Sequence, residues 1–379
     1  MRTRILGMVC LTFVCAAGVS AQKELRTGID FRAPIVRAAI LGADDLVLAT
    51  HAELYRVRGG TASLAVRQLE HDARLILAPG GRAYAWSRQR GETRRPITEV
   101  LLRTLGNEQG PTLRIDKAAG EAEVILGSDA KLILTRAPEL DWEGSFGNFR
   151  YTFWSAEGRE LQSHSLPYGP AVLAADGSAI VILTSEHALA FSANGAPLWR
   201  IEGRYRKAAV ASDARAALLN PADRKSIQQI HVVTNGRRGR TIELPTAVHH
   251  LAITREGRSA AAAGDRGRYF FLDVTRAALR EGKALPADRG TPFIFDLELA
   301  EEGKVVILGV LHRAKGTPDW PRASVIAMRS NGRVAFTRTV EVDDPTANEP
   351  SIDIRGGDSA FVAYTRDQLF TGNVDGVTP

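Results

Sequence analysis

The apolar residues of this chain fall into short runs separated by turn-forming pairs, most clearly between Tyr168 and Gly203. The pairs Asp176-Gly177 and Asn194-Gly195 favour tight hairpins, because Asp, Asn and Gly tolerate the positive φ that such turns need. The segment is therefore predicted to form four antiparallel strands, a to d in chain order. Their expected bounds are Ala171–Ala174, Ser178–Thr184, Ala188–Ser192 and Pro197–Ile201.

The same arrangement recurs along the chain, with spacings that suit a propeller blade of about 40–50 residues. The predicted a–b turns are Ala43-Asp44, Gly80-Gly81, Ser128-Asp129, Asp176-Gly177, Ser212-Asp213, Glu256-Gly257, Glu302-Gly303 and Gly357-Asp358. The predicted c–d turns are Gly59-Gly60, Gly110, Glu157-Gly158, Asn194-Gly195, Asn235-Gly236 and Asn331-Gly332. Two turn series in step predict an all-β fold, a β-propeller of four-stranded antiparallel blades.

The number of blades follows from how the ring closes. The last unit supplies three strands, Ile352–Arg355, Ala360–Thr365 and Gln368–Asn373, while Leu25–Arg32 precedes the first unit without one of its own. We expect that N-terminal strand to complete the last blade, since closure leaves no free sheet edge at the seam. Eight blades follow, or seven if the sparse second unit is an insertion; a pair of β-sandwiches is the other alternative. One helix is predicted, at Thr275–Glu281.

The first 21 residues have the features of a secretory signal. Arg2 and Arg4 precede an apolar stretch, Ile5–Val19, and small residues end the segment at Ala21. Residues 22–379 are then expected to form a single exported propeller domain, periplasmic or extracellular. An uncleaved anchor is the alternative. No later stretch reaches the length of about 20 apolar residues that a membrane span requires.

Composition narrows the chemistry of the mature chain. Both cysteines, Cys10 and Cys15, lie in the signal segment, so disulfides, thiolate nucleophiles and Cys-ligated metals are not expected. Loss of Arg2 and Arg4 lowers the formal charge from +6 to +4, with 47 basic against 43 acidic residues left. Charges of both signs are interspersed, which does not favour a nucleic-acid partner. We expect a monomer.

Two segments resemble known propeller repeats. ALAFSANGAPLWRIEG, which ends at Gly203, resembles the repeat of PQQ-like β-propellers, and YFFLDVTRAALREGKAL, from Tyr269, is similar to a blade of WD40-type and quinoprotein-like propellers. This resemblance implies the fold. Quinoprotein dehydrogenases hold their quinone with adjacent cysteines and Ca²⁺, which the mature chain does not provide, so no cofactor is expected.

No motif for catalysis or metal binding is present. Gly-x-Ser-x-Gly does not occur, and the histidines are scattered, with His249-His250 in a predicted strand where neighbours face opposite sides. Aspartates at the a–b turns are interpreted as structural, since Asp bonds to its own backbone in turns. Catalytic activity is thus left open, with no catalytic, cofactor or metal residues assigned.

The longest insertions fall between strands b and c, on one face of the predicted ring. They span Arg88–Pro96, Ala137–Asn148, Pro221–Ser226 and Arg313–Pro321. Exposed Trp and Arg are enriched at binding hot spots, and loops on rigid scaffolds carry function. The predicted partner-binding residues are Arg88, Arg90, Arg94, Arg95, Trp142, Lys315 and Trp320.

This b–c face is therefore predicted to bind a protein or a cell-envelope component. In the alternative structural interpretation the loops are merely solvated and the Trp side chains cover blade edges. The alternative function is a hydrolase or lyase that acts on a glycan or peptide at the mouth of the channel.

Overall fold

The computed structural model consists almost entirely of antiparallel β-sheet. It describes residues 35–42, 45–59, 61–67, 73–92, 95–107, 109–116, 120–140, 146–276, 278–283, 291–300, 303–313, 322–341, 353–356, 360–364 and 369–373. Within these ranges the strands form seven four-stranded sheets and one three-stranded sheet. No helix in this part of the chain is long and apolar enough to cross a membrane. The predicted signal segment, residues 1–21, and the predicted strand Leu25–Arg32 lie outside the described residues.

The first four sheets each use four consecutive strands. The first contains β1 (Arg37–Gly42), β2 (Asp45–Ala49), β3 (Glu53–Arg58) and β4 (Thr61–Arg67). The second contains β5 (Arg74–Leu77), β6 (Ala83–Glu92), β7 (Arg95–Thr104) and β8 (Thr112–Ile115). The third contains β9 (Glu123–Leu126), β10 (Ile133–Leu140), β11 (Phe146–Trp154) and β12 (Glu160–Leu166). The fourth contains β13 (Ala171–Leu173), β14 (Ala179–Leu183), β15 (His187–Ser192) and β16 (Pro197–Glu202).

The remaining sheets continue the series. The fifth contains β17 (Tyr205–Val210), β18 (Ala216–Pro221), β19 (Gln229–Thr234) and β20 (Arg237–Glu243). The sixth contains β21 (His250–Ile253), β22 (Ser259–Ala263), β23 (Arg268–Asp273) and β24 (Ala278–Lys283). The seventh contains β25 (Thr291–Ala300), β26 (Val305–Arg313), β27 (Arg322–Arg329) and β28 (Val334–Glu341). The last contains β29 (Asp353–Gly356), β30 (Ala360–Tyr364) and β31 (Leu369–Asn373).

The sheets are the blades of a propeller, which confirms the predicted fold class. Strand β29 contacts β25 and β26 of the seventh sheet, and β29 and β30 contact β1 of the first, so the three-stranded sheet lies between them. Seven blades have four strands, as the seven-bladed alternative requires, and the three-stranded sheet occupies the place of the predicted eighth. Completion of that sheet by the N-terminal strand stays a prediction.

The a–b turns need a left-handed backbone whether or not they contain glycine. Gly177 has φ 70°, whereas Asp213 and Ala214 have φ 53° and 51° in a single 3₁₀ turn, Ser212–Ala214. A second 3₁₀ turn of this kind lies at Ser128–Ala130, and a third, Asp265–Gly267, lies in the b–c connection of the sixth blade. The predicted a–b turns at Gly80-Gly81, Ser128-Asp129, Asp176-Gly177, Ser212-Asp213 and Glu256-Gly257 are thus confirmed, whereas Ala43-Asp44, Glu302 and Gly357-Asp358 lie outside the described residues.

Neighbouring a–b turns are tied together by side chains. Asp176 accepts hydrogen bonds from Ser178 Oγ and from Ser212 Oγ of the next blade, both at 2.7 Å. Burial alone would raise the pKa of Asp176, but the hydrogen bonds from Ser212 and Ser178 bring it below its usual value. The structural role predicted for this turn aspartate is therefore confirmed.

The outer strands are tied to the next blade in a single direction. Arg240, on the fourth strand of the fifth blade, donates to the Arg276 carbonyl in the c–d turn of the sixth, at 3.3 Å. Arg280, on the fourth strand of the sixth, donates to the Ser330 and Asn331 carbonyls of the seventh, each at 2.6 Å. His164 of the third blade bonds to a c–d turn carbonyl of the fourth in the same way. At each of these interfaces, one blade contributes a side chain of its outer strand and the next blade contributes backbone carbonyls of its c–d turn.

The predicted helix Thr275–Glu281 is wrong. Its second half belongs to β24, which pairs with β23 along its whole length and places Arg280 opposite Phe271. Asp273 accepts hydrogen bonds from the Thr275 and Arg276 backbone amides, which fixes a turn at the point where a helix would begin. Pairing with the neighbouring strand outweighs the helical preference of Ala, Leu and Arg.

Candidate binding face and channel

The first predicted insertion, Arg88–Pro96, is an extended hairpin rather than a loop. Strands β6 and β7 have ten residues each and stay paired as far as Glu92 opposite Arg95. The hairpins β10–β11 and β26–β27 are long in the same way, with eight or nine residues in each strand. The face that carries the b–c connections and the d–a connections, here called the loop face, is thus built largely of projecting hairpins.

Two of the predicted binding arginines share one carboxylate. Arg88 lies 2.8 Å and Arg90 3.9 Å from Glu99 on the adjacent strand, with Arg88 only 21% exposed. Their charges are partly neutralised, which weakens the predicted basic character of this hairpin. Arg94, Trp142, Lys315 and Trp320 lie outside the described residues, and the side chain of Arg95 is not described, so their role stays a prediction.

A cleft between the fourth and fifth blades opens on the loop face and was not predicted from the sequence. Its volume is about 460 Å³. The d–a connection and Tyr205, at the start of β17, form one side. The end of β18 forms the other side, together with His231 of β19 and Arg238 of β20. Its lining residues are Glu202, Gly203, Arg204, Tyr205, Pro221, Ala222, Asp223, His231 and Arg238. We call this cavity the inter-blade cleft.

The inner wall of the inter-blade cleft is a chain of hydrogen bonds between buried aromatic side chains. Arg238 Nη2 lies 2.8 Å from His231 Nε2, and His231 Nδ1 lies 3.4 Å from the Tyr205 hydroxyl. That hydroxyl donates to the Glu202 carbonyl at 3.1 Å. Because the guanidinium can only donate, His231 Nε2 must accept and Nδ1 must carry the hydrogen.

Burial keeps this wall neutral. Desolvation, with the nearby positive charge of Arg238 as a second cause, lowers the pKa of His231 to about 4. Burial likewise raises the pKa of the Tyr205 phenol. Neither group is poised to exchange protons near neutral pH, so the inter-blade cleft offers fixed hydrogen-bonding groups rather than an acid–base pair.

The rim of the inter-blade cleft is charged. Glu202 and Arg204 are exposed, and neither side chain makes a hydrogen bond or ion pair with another described residue. Between them Gly203 has φ +123°, and a Cβ there would lie 3.1 Å from the Tyr205 hydroxyl oxygen. The d–a connection therefore requires glycine here, both for its backbone and to let the Tyr205 ring pack beneath it.

The innermost strands carry a register of polar residues around the channel. In each innermost strand, or just before it, one residue lies opposite a residue of the second strand that is 11 to 13 positions further along the chain. These residues, here called the channel ring, are Arg37, Arg74, Glu123, Pro170, Lys207, His250, Asp296 and Asp353. Between the ring and the turns the strands are mainly aliphatic, as in Leu75–Leu77. The ring thus places most of the ionisable groups of the channel wall at the end nearest the loop face.

On one side of the channel the ring residues border a cavity of about 450 Å³ lined by the first four blades, Arg37 and Glu123 among them. Arg136, only 5% exposed, pairs with Glu123, donates to the Gly169 carbonyl of the next blade and lies 4.3 Å from the Tyr168 ring centroid. Its charge is therefore satisfied within the protein. No three described His, Asp or Glu side chains lie close enough together to hold a metal ion.

The sequence contained a signal for the channel ring but none for the inter-blade cleft. Counted back from the predicted a–b turns, Arg37, Arg74 and His250 lie six residues before the turn, and Glu123 and Lys207 lie five residues before it. Tyr205 and His231, by contrast, lie on different strands, 26 residues apart, and belong to no motif. The histidines His249 and His250, interpreted as ordinary strand residues, separate in the structure: His249 bonds to Asp265 at 2.6 Å and His250 belongs to the ring.

No protein-family model matches the chain, and no curated protein matches it in sequence. Solved structures of similar fold include Sqt1 from Saccharomyces cerevisiae, with 10% identity, a TM-score of 0.57, and coverage of 93% of this chain and 97% of that one. The C-terminal WD40 domain of Sif2 has 10% identity and a TM-score of 0.56, with 92% and 97% coverage. KlHsv2 with loop 6CD replaced by a Gly-Ser linker has 11% identity and a TM-score of 0.51, with 77% and 88% coverage.

The resemblance to PQQ-like repeats stays a prediction, because none of these structures bears on it. At 10–11% identity the likenesses concern the fold alone. The chain is similar to WD40-type propellers in its all-β, ring-shaped arrangement of four-stranded blades.

Proposed function

We propose that this WD40-type propeller is an exported scaffold that binds a protein or a cell-envelope component through its loop face. The observation that carries the proposal is the inter-blade cleft. It combines a buried, hydrogen-bonded wall of Tyr205 and His231 with a rim on which the side chains of Glu202 and Arg204 have no partner among the described residues. Rigid aromatic walls with charged, unpaired rims are typical of binding surfaces.

The hairpins of the loop face also give it a recessed surface on which a partner can bind. The b–c hairpins project beyond the blades, while the a–b turns on the opposite face are short and bonded to one another. Unpaired rim charges select a partner more than they strengthen its binding, since complementary charges steer association and exclude wrong partners. The mixed signs of Glu202 and Arg204 favour a partner segment that also carries both charges.

The experiment is affinity capture from native envelope with the mature chain, compared between matched variants. Arg204→Glu reverses one rim charge, and Arg159→Glu reverses an equally exposed charge in a c–d turn on the opposite face. We expect Arg204→Glu, but not Arg159→Glu, to lose a specific partner that the unaltered chain retains. Equal capture by both variants would contradict binding through the inter-blade cleft.

The hairpin residues are tested separately. Replacing Trp142 and Trp320 with Ala should weaken capture of the same partner without unfolding the ring, as followed by circular dichroism. Unchanged capture would restrict the binding surface to the inter-blade cleft. Export is tested by N-terminal sequencing of the protein recovered outside the cytoplasm, which we expect to begin at Gln22. A retained segment 1–21 would favour the uncleaved anchor.

A further inference from the structure

Lys207 is a half-buried lysine in the channel ring whose ammonium has no compensating partner in the part of the chain that the structure describes. Of the ring residues whose ionisable side chains the structure describes, the others have contacts: Arg74 with Glu121, Glu123 with Arg136, and Arg37 with the Leu77 carbonyl. Asp296 and His250 bond to backbone groups. Lys207 makes neither a hydrogen bond nor an ion pair with a described residue. Because the ammonium is partly removed from water without a counter-ion, an anionic ligand would compensate its charge.

The groups next to Lys207 add positive rather than negative charge. Arg206, the preceding residue, is held in place by Asn220 Oδ1 at 2.6 Å and by the Val248 carbonyl. Burial and the charge of Arg206 both lower the pKa of Lys207. The carboxylate of Asp265 is near enough to Arg206 to interact with its charge, but it is hydrogen-bonded to Thr246 and His249.

The strand opposite Lys207 makes no hydrogen bond to its ammonium within the described residues. Its cross-strand neighbour is Asn220, which is fully buried. The amide nitrogen of Asn220 donates to the Ile227 and Gln229 carbonyls, and its oxygen accepts from Arg206. Asn220 therefore fixes the guanidinium and leaves the ammonium of Lys207 unsatisfied.

His250 lies next to Lys207 in the channel ring, on the innermost strand of the following blade. Burial, followed by the charges of Lys207 and His249, lowers the pKa of His250 to about 4, so its imidazole is neutral at pH 7. It adds no charge of its own and stands close enough to Lys207 for their charges to interact. It is therefore a local reporter of whatever binds the ammonium.

We propose that Lys207 anchors an oxyanion, the carboxylate or phosphate group of a ligand, at the loop-face end of the channel. An oxyanion there gains a charge-assisted hydrogen bond from the ammonium and lies in the positive field of Arg206. The site is independent of the inter-blade cleft, which it does not share residues with, and of any protein partner. A free anion and an anionic group on a larger ligand would use the same contacts.

The test is titration of the mature protein with inorganic phosphate and, separately, with acetate, at low ionic strength. Binding is followed through the His250 imidazole resonance, assigned with His250→Gln. We expect a saturable shift with at least one anion, weakened about tenfold or more in Lys207→Met, which corresponds to the loss of one charge-assisted hydrogen bond. Tighter binding of phosphate assigns the site to phosphate groups, and tighter binding of acetate assigns it to carboxylates.

The matched control is Lys225→Met, which removes an exposed charge from the b–c loop of the same blade. It should bind the anion as the unaltered protein does. Lys207→Met should fold, because it removes an unpaired buried charge and keeps the length of the side chain. Equal anion affinity in Lys207→Met and the unaltered protein, or no saturable shift with either anion, would overturn the proposal.

Discussion

The imidazole of His231 stands edge-on to the ring of Tyr205, with ring centroids 5.8 Å apart and planes at 84°. Both side chains are at most 6% exposed, and the pKa of His231 is about 4 in the folded protein. The unfolded chain takes up this proton first as the pH falls, since an unperturbed His titrates near 6.5. The stability that His231 contributes is therefore full above pH 6.5 and is lost as the pH falls towards 4.

The first prediction concerns this pH dependence. In His231→Gln the fall in unfolding free energy between pH 6.5 and 4 should be smaller by up to about 3 kcal/mol. His250, whose pKa is also about 4, should account for a further part of the slope. The measurement is urea unfolding at several pH values. His51→Gln, at an exposed turn position, is the control, and an unchanged slope in His231→Gln would refute the assignment.

A second prediction concerns Gly203. Gly203→Ala should lower the unfolding free energy by about 1–3 kcal/mol, because φ +123° is strained for alanine and its Cβ would press on the Tyr205 ring. Thermal unfolding measures the loss. Partner capture should fall as well, since the wall of the inter-blade cleft would shift. Gly239→Ala, at a glycine whose Cβ would come no nearer than 3.4 Å to another atom, is the control.

The third prediction separates the two members of a buried pair. Arg136 is 5% exposed and its partner Glu123 is 55% exposed. Arg136→Met should destabilise the protein by about 2–3 kcal/mol, because the Gly169 carbonyl loses its donor. Glu123→Gln should cost less than about 1 kcal/mol, because Glu123 itself is exposed and the Gln amide oxygen can still accept the hydrogen bond from Arg136. Chemical denaturation measures both, and equal losses would contradict the assigned role of Arg136 as a link between blades.

The fourth prediction addresses the contact between the sixth and seventh blades. Arg280→Met removes both donors to the Ser330 and Asn331 carbonyls and should cost about 1–2 kcal/mol. Hydrogen exchange should accelerate at this interface before it does elsewhere. Arg237→Met, on an exposed position of β20, is the control and should leave exchange unchanged. Uniform acceleration in both variants would argue against a specific link.

The fold was predictable because the turns that separate its strands are specified by neighbouring residues in the sequence. The strands between Ala171 and Glu202 lie within a residue of their predicted bounds, since Asp176-Gly177 and Asn194-Gly195 specify turns by their own backbone preferences. Segment Thr275–Glu281 failed because its Ala, Leu and Arg favour a helix, and only pairing with β23 shows otherwise. The length of the β6–β7 hairpin failed for a related reason: polar residues such as Arg88 and Arg90 resemble a loop until Glu99 is placed beside them.

The candidate sites were less accessible for a different reason. Tyr205 and Arg238 meet across His231 only because three strands of one blade place them together, and no spacing in the chain encodes that geometry. Lys207 lacks a partner among the described residues because the amide of Asn220 bonds to Arg206 and to the Ile227 carbonyl instead. Those bonds follow from how the strands pack, and residue type alone does not predict them.

The one-way links of the outer strands make the two sides of the three interfaces described above unlike each other. A ring opened between the sixth and seventh blades would expose the Arg280 donors at one end and the Ser330 and Asn331 carbonyls at the other. Such ends are complementary to each other but not to themselves. Opened molecules would therefore add end to end into linear chains rather than pair as symmetric dimers, because a head-to-tail contact that does not close propagates.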